Sequence, residues 1–368
     1  MDQPSNVLFR PEGVRRLEQW RPFLVKGEQW QAGLDAIARE PVDVYGRREL
    51  LIRHPDSEPS IGGLAPGIEV RFGTLAPGQA TLPCRTNASE FFLLIDGAME
   101  LDSDGGNYAL GKRDAWVIPA MRSHALRNSG SATARYVCYS NAAMLKYMRV
   151  FFEQAYPSTQ RMAAAGLNGF IRARDIAGPG HQLNETGARI LPYEYLVDPD
   201  SVESRVLVWR WGELLPHLPS VLNLHPDYDG RTLWVLYNPA TERRVGTTPS
   251  FFASMACAKP RSSTASHRHA SAAINFILEG TGHSLVDGER MDWTAGDIML
   301  SAPGWLAHSH HFHDDVCVVL TVQDHPLHIA TESLIWQEQL PAGPIVNLGT
   351  QTGFSTNLAS LVGADKKA

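Results

Sequence analysis

Two stretches decide the fold: residues 266–289, SHRHASAAINFILEGTGHSLVDGE, and residues 295–310, AGDIMLSAPGWLAHSH. The apolar run Ala273–Leu278 ends at Glu279-Gly280, the run His283–Val286 ends at Asp287-Gly288, and a third run follows Gly296-Asp297. Short apolar runs closed by glycine turns predict antiparallel strands. Alternate side chains of a strand share a face, so His267 and His269 point one way and Arg268 the other.

The same text occurs earlier in the chain. Residues 76–101, APGQATLPCRTNASEFFLLIDGAMEL, are followed by 111–126, GKRDAWVIPAMRSHAL. Both copies read strand, loop, strand, glycine turn, then glycine, an apolar run, proline and histidine, which makes them two copies of one small β unit. With 368 residues and 43% hydrophobic content, the chain is long enough for two cores. Further strand candidates surround the copies: Glu69–Leu75, Phe91–Ile95, Tyr108–Leu110 and Ala115–Ile118 in the first half; Arg205–Trp211, Thr232–Tyr237, Phe251–Ala256 and Val316–Val322 in the second. The expected fold is all-β with a few helices, built as two antiparallel β-barrels of the double-stranded β-helix or jelly-roll type.

Helical spacing predicts two short helices over residues 14–40 (Val14, Leu17, Trp20 and Phe23, then Trp30, Leu34 and Ile37) and a closing helix in 141–156. The expected layout is an N-terminal helical and extended segment (1–65), a first barrel with its closing helix (66–155), a connector (156–204), a second barrel (205–338) and a tail (339–368).

The net charge of −6 offers no basic surplus to neutralise a phosphate backbone, so nucleic acid is not an expected partner. Charges interrupt the N-terminal stretch where a signal peptide needs an apolar run, and no window approaches the roughly 18 apolar residues of a membrane span. A cytoplasmic protein without membrane contact is expected. Cys84, Cys138, Cys257 and Cys317 have no Cys-x-x-Cys spacing and read as reduced, buried thiols.

The chemistry sits in the later copy. A third histidine, His308, follows Pro303-Gly304-Trp305 on the next strand pair. A single strand histidine is more often a backbone-bonded side chain than a ligand. Three on one face, at this spacing, instead match the facial arrangement of non-haem iron sites, with histidine replacing the usual carboxylate and several coordination positions left open.

These two stretches resemble the metal-bearing cupin of the gentisate, salicylate and 1-hydroxy-2-naphthoate dioxygenases, Fe(II) enzymes with two cupins per chain. RVLVWRWGELLP, RTLWVLYNPATERR and TPSFF resemble the approach to that cupin, and TVQDHPLHIATESLIWQEQ the exit, so the likeness covers about residues 205–338. The resemblance implies a bicupin in which His267, His269 and His308 bind Fe(II) and His310 is a second histidine near the site, an acid/base for catalysis. It also implies that Arg231 binds substrate and that Trp305 lines the pocket. Glu279 reads as structural. An apolar residue, Ile274, stands where general cupins place a metal-binding glutamate. The resemblance further implies a small aromatic carboxylic acid and O2 as partners, and a homo-oligomer, dimer or tetramer.

Two departures stand out. Cys84-Arg85-Thr86 replaces His-x-His in the first copy, leaving His124 alone at the third-ligand place, so the halves look exchanged in order relative to the usual enzymes. Asn275 stands where the family has an arginine for the substrate carboxylate; Arg244 and Arg261, with Arg243, are candidates to supply the missing charge. Within the class, a gentisate or another 5-substituted salicylate is favoured. The rival classes are a cupin isomerase, lyase or quercetin-type oxygenase using another metal, and a non-catalytic binding module.

Overall fold

A computed structural model describes residues 19–157, 159, 180–193, 195, 204–218 and 233–350. Arg231 lies outside them. Each copy folds as two facing antiparallel sheets whose ladders do not close into a continuous ring. In the first, Ala115–Ile118, Glu90–Asp96, Ala134–Ser140, Glu69–Leu75 and Glu49–Ile52 lie side by side in that order. In the second, Ile298–Ala302, Ala273–Glu279, Cys317–Gln323, Phe252–Ala258 and Leu233–Val235 repeat the order. The internal repeat is thus a repeat of topology.

Alternation along the central strands explains where the cores form. Phe92 and Leu94 point into the first unit, beside Met99, Leu101, Leu110 and Trp116. Phe91 and Leu93 point out of it, into a core shared with Ile274 and Phe276 of the second unit. Trp30 from the N-terminal helix stacks on Phe72 at 4.3 Å, and Phe72 meets Phe276 edge-on at 5.7 Å. The two units are joined by this aromatic seam, where full burial of each large side chain contributes about 1.5–3 kcal/mol.

Two arms cross between the units. Phe23–Val25 adds a strand to Ile298–Ala302 of the second unit, while Leu207–Trp209 adds one to Ala115–Ile118 of the first. Each arm covers a sheet edge that would otherwise expose unpaired backbone groups. One device anchors both. Asp297 accepts from the Gly27 amide (2.8 Å), the Lys26 ammonium (2.9 Å) and the Thr294 amide (3.0 Å). Asp114, at the same place in the first copy, accepts from the Trp211 amide (2.7 Å), Arg210 (3.0 Å) and the Gly111 amide (2.9 Å). Gly27 is needed for this docking, because a Cβ there would meet the Gly296 backbone at 3.0 Å.

Of the first expected helix, Val14 and Leu17 lie outside the described residues; residues 20–22 are irregular and Phe23–Val25 is a strand, because an open sheet edge outbids local spacing for three apolar residues. The later helix spans Gly27–Ile37. The closing helix is also shorter than its pattern, Ala142–Tyr147, ending before Arg149 takes a left-handed conformation (φ 61°). Glu153–Ala155 then pairs with Cys84–Thr86 as a strand. Glu279 bridges the units through Arg113 at 2.5 Å.

Candidate metal centre

His267 and His308 face one another across a short antiparallel bridge, each backbone amide donating to the other's carbonyl (3.1 and 2.8 Å). His269 lies on Arg268–His269, which pairs with Ile335–Gln337. As alternation requires, Arg268 turns to the other face, where its guanidinium donates to Gln337 Oε1 (2.8 Å) and stacks on Trp305 at 4.6 Å. The three imidazoles are buried and offer ligand atoms that all lie within 4.8 Å of one another.

The orientation of each ring is fixed by its own backbone neighbourhood. Nδ1 of His267 meets the Ala265 carbonyl (3.0 Å), that of His269 the Ser271 carbonyl (2.8 Å), and that of His308 the Leu306 carbonyl (3.0 Å). A carbonyl oxygen only accepts, so each Nδ1 carries the proton and each Nε2 keeps the lone pair. That tautomer is the one a metal ligand requires, and such partners orient the ring and raise its basicity. Trp336, a residue the sequence pattern did not single out, packs on both members of the pair, 5.6 Å from His267 and 4.6 Å from His269. The residues present fit a metal ion.

His310 points to the same side as His308, its ring 5.9 Å away. Its Nδ1 lies 2.8 Å from Ser284 Oγ, which also accepts from Trp293 Nε1 (3.1 Å). Asn275 is buried in the wall, donating to Ser301 Oγ (2.8 Å) and accepting from Thr321 Oγ1 (2.6 Å), on the strand face it shares with Ile277.

The other sequence candidates lie apart. Trp305 packs on Arg268, on the outward side of the ligand strand. Arg261 is exposed and paired with Asp314 (2.7 Å), and Arg244 turns back to the Thr241 carbonyl of its own turn (3.5 Å). Among the later histidines, His311 is in the strand His308–Phe312, and His325 and His328 are in the helix His325–Ala330. Burial pushes the His325 imidazole down to about 4, with His328 adding to it, and burial raises the neighbouring Asp324 carboxyl to about 7 against the donor hydrogen bond from the Ala272 amide.

The first unit has a different interior. Glu90 and His124 approach at 3.9 Å beside Cys84 and Thr86, and Glu49, Glu69 and Glu90 converge on the half-buried Arg71. Burial alone would raise the Glu90 carboxyl, but Arg71, then His124 and Arg47, hold it below its usual range. Burial pushes the Cys84 thiol up to about 12, so no thiolate is available there. A cavity of about 460 Å³ opens on this ion-pair network, yet among the described residues only His267, His269 and His308 bring three ligand atoms within 4.8 Å of one another. Donor chemistry marks the site here, and the size of the hollow does not.

The cupin domain family matches residues 71–140 and again 254–323. The chain contains two cupin domains. This bicupin is 35% identical over 106 residues to gentisate 1,2-dioxygenase of a Streptomyces species, covering 28% of the chain and 29% of that enzyme. It is 34% identical over 136 residues to 5-nitrosalicylic acid 1,2-dioxygenase of a Bradyrhizobium species, covering 35% of the chain and 65% of that enzyme. The matched part is thus under two thirds of either relative's length. Its fold matches the crystal structure of salicylate 1,2-dioxygenase from Pseudaminobacter salicylatoxidans with a TM-score of 0.70 at 16% identity, over 90% of this chain and 91% of that one. No helix of the described residues is long and apolar enough to cross a membrane.

Proposed function

We propose that this bicupin is an Fe(II)-dependent ring-cleaving dioxygenase that inserts O2 between the carboxyl- and hydroxyl-bearing carbons of a salicylate-type acid, gentisate or another 5-substituted salicylate. The observation that carries the reading is the convergence of three buried imidazoles, each pinned in the Nδ1–H tautomer by a main-chain carbonyl. Fe(II) held on three neutral nitrogens would supply open coordination positions for a chelating aromatic acid and for O2, and the electrons that activate O2.

The chain's own residues do the rest. Neutral ligands leave the bound cation's charge uncompensated, which suits an anionic substrate better than a histidine and carboxylate set does. Ile277, Met299 and Val319 give the interior an apolar floor against which an aromatic ring can pack. Asn275 has both ends of its amide engaged in the wall, so its part is to set the polarity of that wall; the substrate's carboxylate falls to the metal and to Arg231. His310, steadied by Ser284, is the group placed to hold or move a proton beside the third ligand. The resemblance that supports this reading also supports a cytoplasmic homo-oligomer, dimer or tetramer.

The test is anaerobic reconstitution with Fe(II), followed by an oxygen electrode and mass spectrometry of products from a panel of hydroxybenzoates. The expected result is O2 uptake equal to acid consumed, a product heavier by two oxygen atoms, and loss of both on chelation or in His308→Ala. Activation by zinc alone, without O2 uptake, would overturn it.

A further inference from the structure

The strand His308–Phe312 carries histidines on both faces. His308 and His310 turn inward, whereas His311 turns outward, into a three-stranded sheet with Thr281–Val286 and Glu289–Thr294. On that outer face His283 is the direct cross-strand partner of both Asp292 and His311. His313 arrives from just beyond the strand. The result is a patch of three half-buried imidazoles and one carboxylate, separate from the interior site.

Its central pair has the spacing of metal ligands. His283 Nδ1 and His313 Nε2 are 3.2 Å apart. Two nitrogens bound to one tetrahedral zinc at about 2.0–2.1 Å lie about 3.3 Å apart, so this pair already stands close to the required bite. His311 stacks on His283 at 4.6 Å with the rings 7° from parallel, and its Nε2 lies 3.1 Å from Ser309 Oγ. Asp292 is held on the patch by Arg290 at 2.7 Å.

We propose that this outer face is a second metal site, taking a divalent transition ion of the zinc or copper class on His283 and His313, with His311 and Asp292 flanking it and water completing the shell. Between the two rings one N–H donates to the other ring's nitrogen; on binding, the ion takes that place, and the donor ring carries its proton on its other nitrogen, so both rings stay neutral and no net proton is released. The donors face away from His308 and His310, so filling or deleting this site leaves the interior ligand set intact.

The experiment is equilibrium dialysis of the iron-loaded, full-length protein against Zn2+ under anaerobic conditions, with both metals counted by elemental analysis. The wild type is expected to take up one zinc per chain while keeping its iron. His283→Ala and His313→Ala should lose that zinc with iron unchanged, which also shows that they fold, and His308→Ala should lose iron while keeping the zinc. No zinc beyond displaced iron in the wild type, or full zinc uptake in both outer variants, would overturn the proposal. The outer equivalent is read independently of ring cleavage, so the two readings can fail separately.

Discussion

Asp297→Ala tests how the N-terminal arm is held to the second cupin. The carboxylate is buried, and its loss leaves the Gly27 and Thr294 amides without their acceptor. Each orphaned donor costs about 1–3 kcal/mol, the buried Gly27 amide in the upper half of that range and the part-buried Thr294 amide in the lower half. The Lys26 bridge adds little, because its side chain is 42% exposed and screened by water. The expected loss is about 3–5 kcal/mol in denaturant unfolding, with hydrogen exchange rising first in Gly27–Ile37 and in the strand Phe23–Val25. Asp114→Ala should do the same to the arm at Leu207–Trp209, since Asp114 holds the Trp211 amide by the same geometry. A loss below about 1 kcal/mol, or new exchange spread evenly over both units, would refute the idea that one carboxylate anchors each arm.

Ser284→Ala should lower kcat about ten- to a hundredfold with iron content unchanged, because His310 loses the hydroxyl that orients it; equal kcat in the variant would remove His310 from the chemistry. Trp336→Ala should instead lower iron affinity, measured by competition with a chelator, since it frees both rings of the His267 and His269 pair; unchanged affinity would make the tryptophan mere filling. Asp324 gives a pH signature. Its carboxyl is raised to about 7 in the fold from an ordinary 3.8, so the folded state binds the extra proton. Its contribution to stability therefore falls as pH rises from about 4 to 7, by at most about 1.4 kcal/mol per pH unit. Asp324→Asn should flatten that part of the stability profile, and a profile identical to wild type would show that the proton is not there.

Much of the site was legible before any coordinates. A period of two puts His267 and His269 together and sends Arg268 away, and the parallel text of the two halves places His308 beside them. Substrate residues were not legible in the same way. Arg261 and Arg244 were suggested by charge alone, and charge says nothing about direction; both belong to turns whose nearest acceptors, Asp314 and the Thr241 carbonyl, hold them away from the histidines. Trp336 was missed because its meeting with the ligands depends on the strand Ile335–Gln337 pairing with Arg268–His269, far back in the chain.

The amino-acid order by itself determined two β units, which of them carries the histidine trio, and the side of each strand on which those rings lie, because alternation and turn chemistry act between near neighbours. Only the tertiary structure decided that the arms cross between units, that main-chain carbonyls lock the ligand tautomers, and that His283 meets His313 on the outer face. Those contacts join residues through sheet edges and registers, and three-residue arms carry too little local information to choose among the edges open to them.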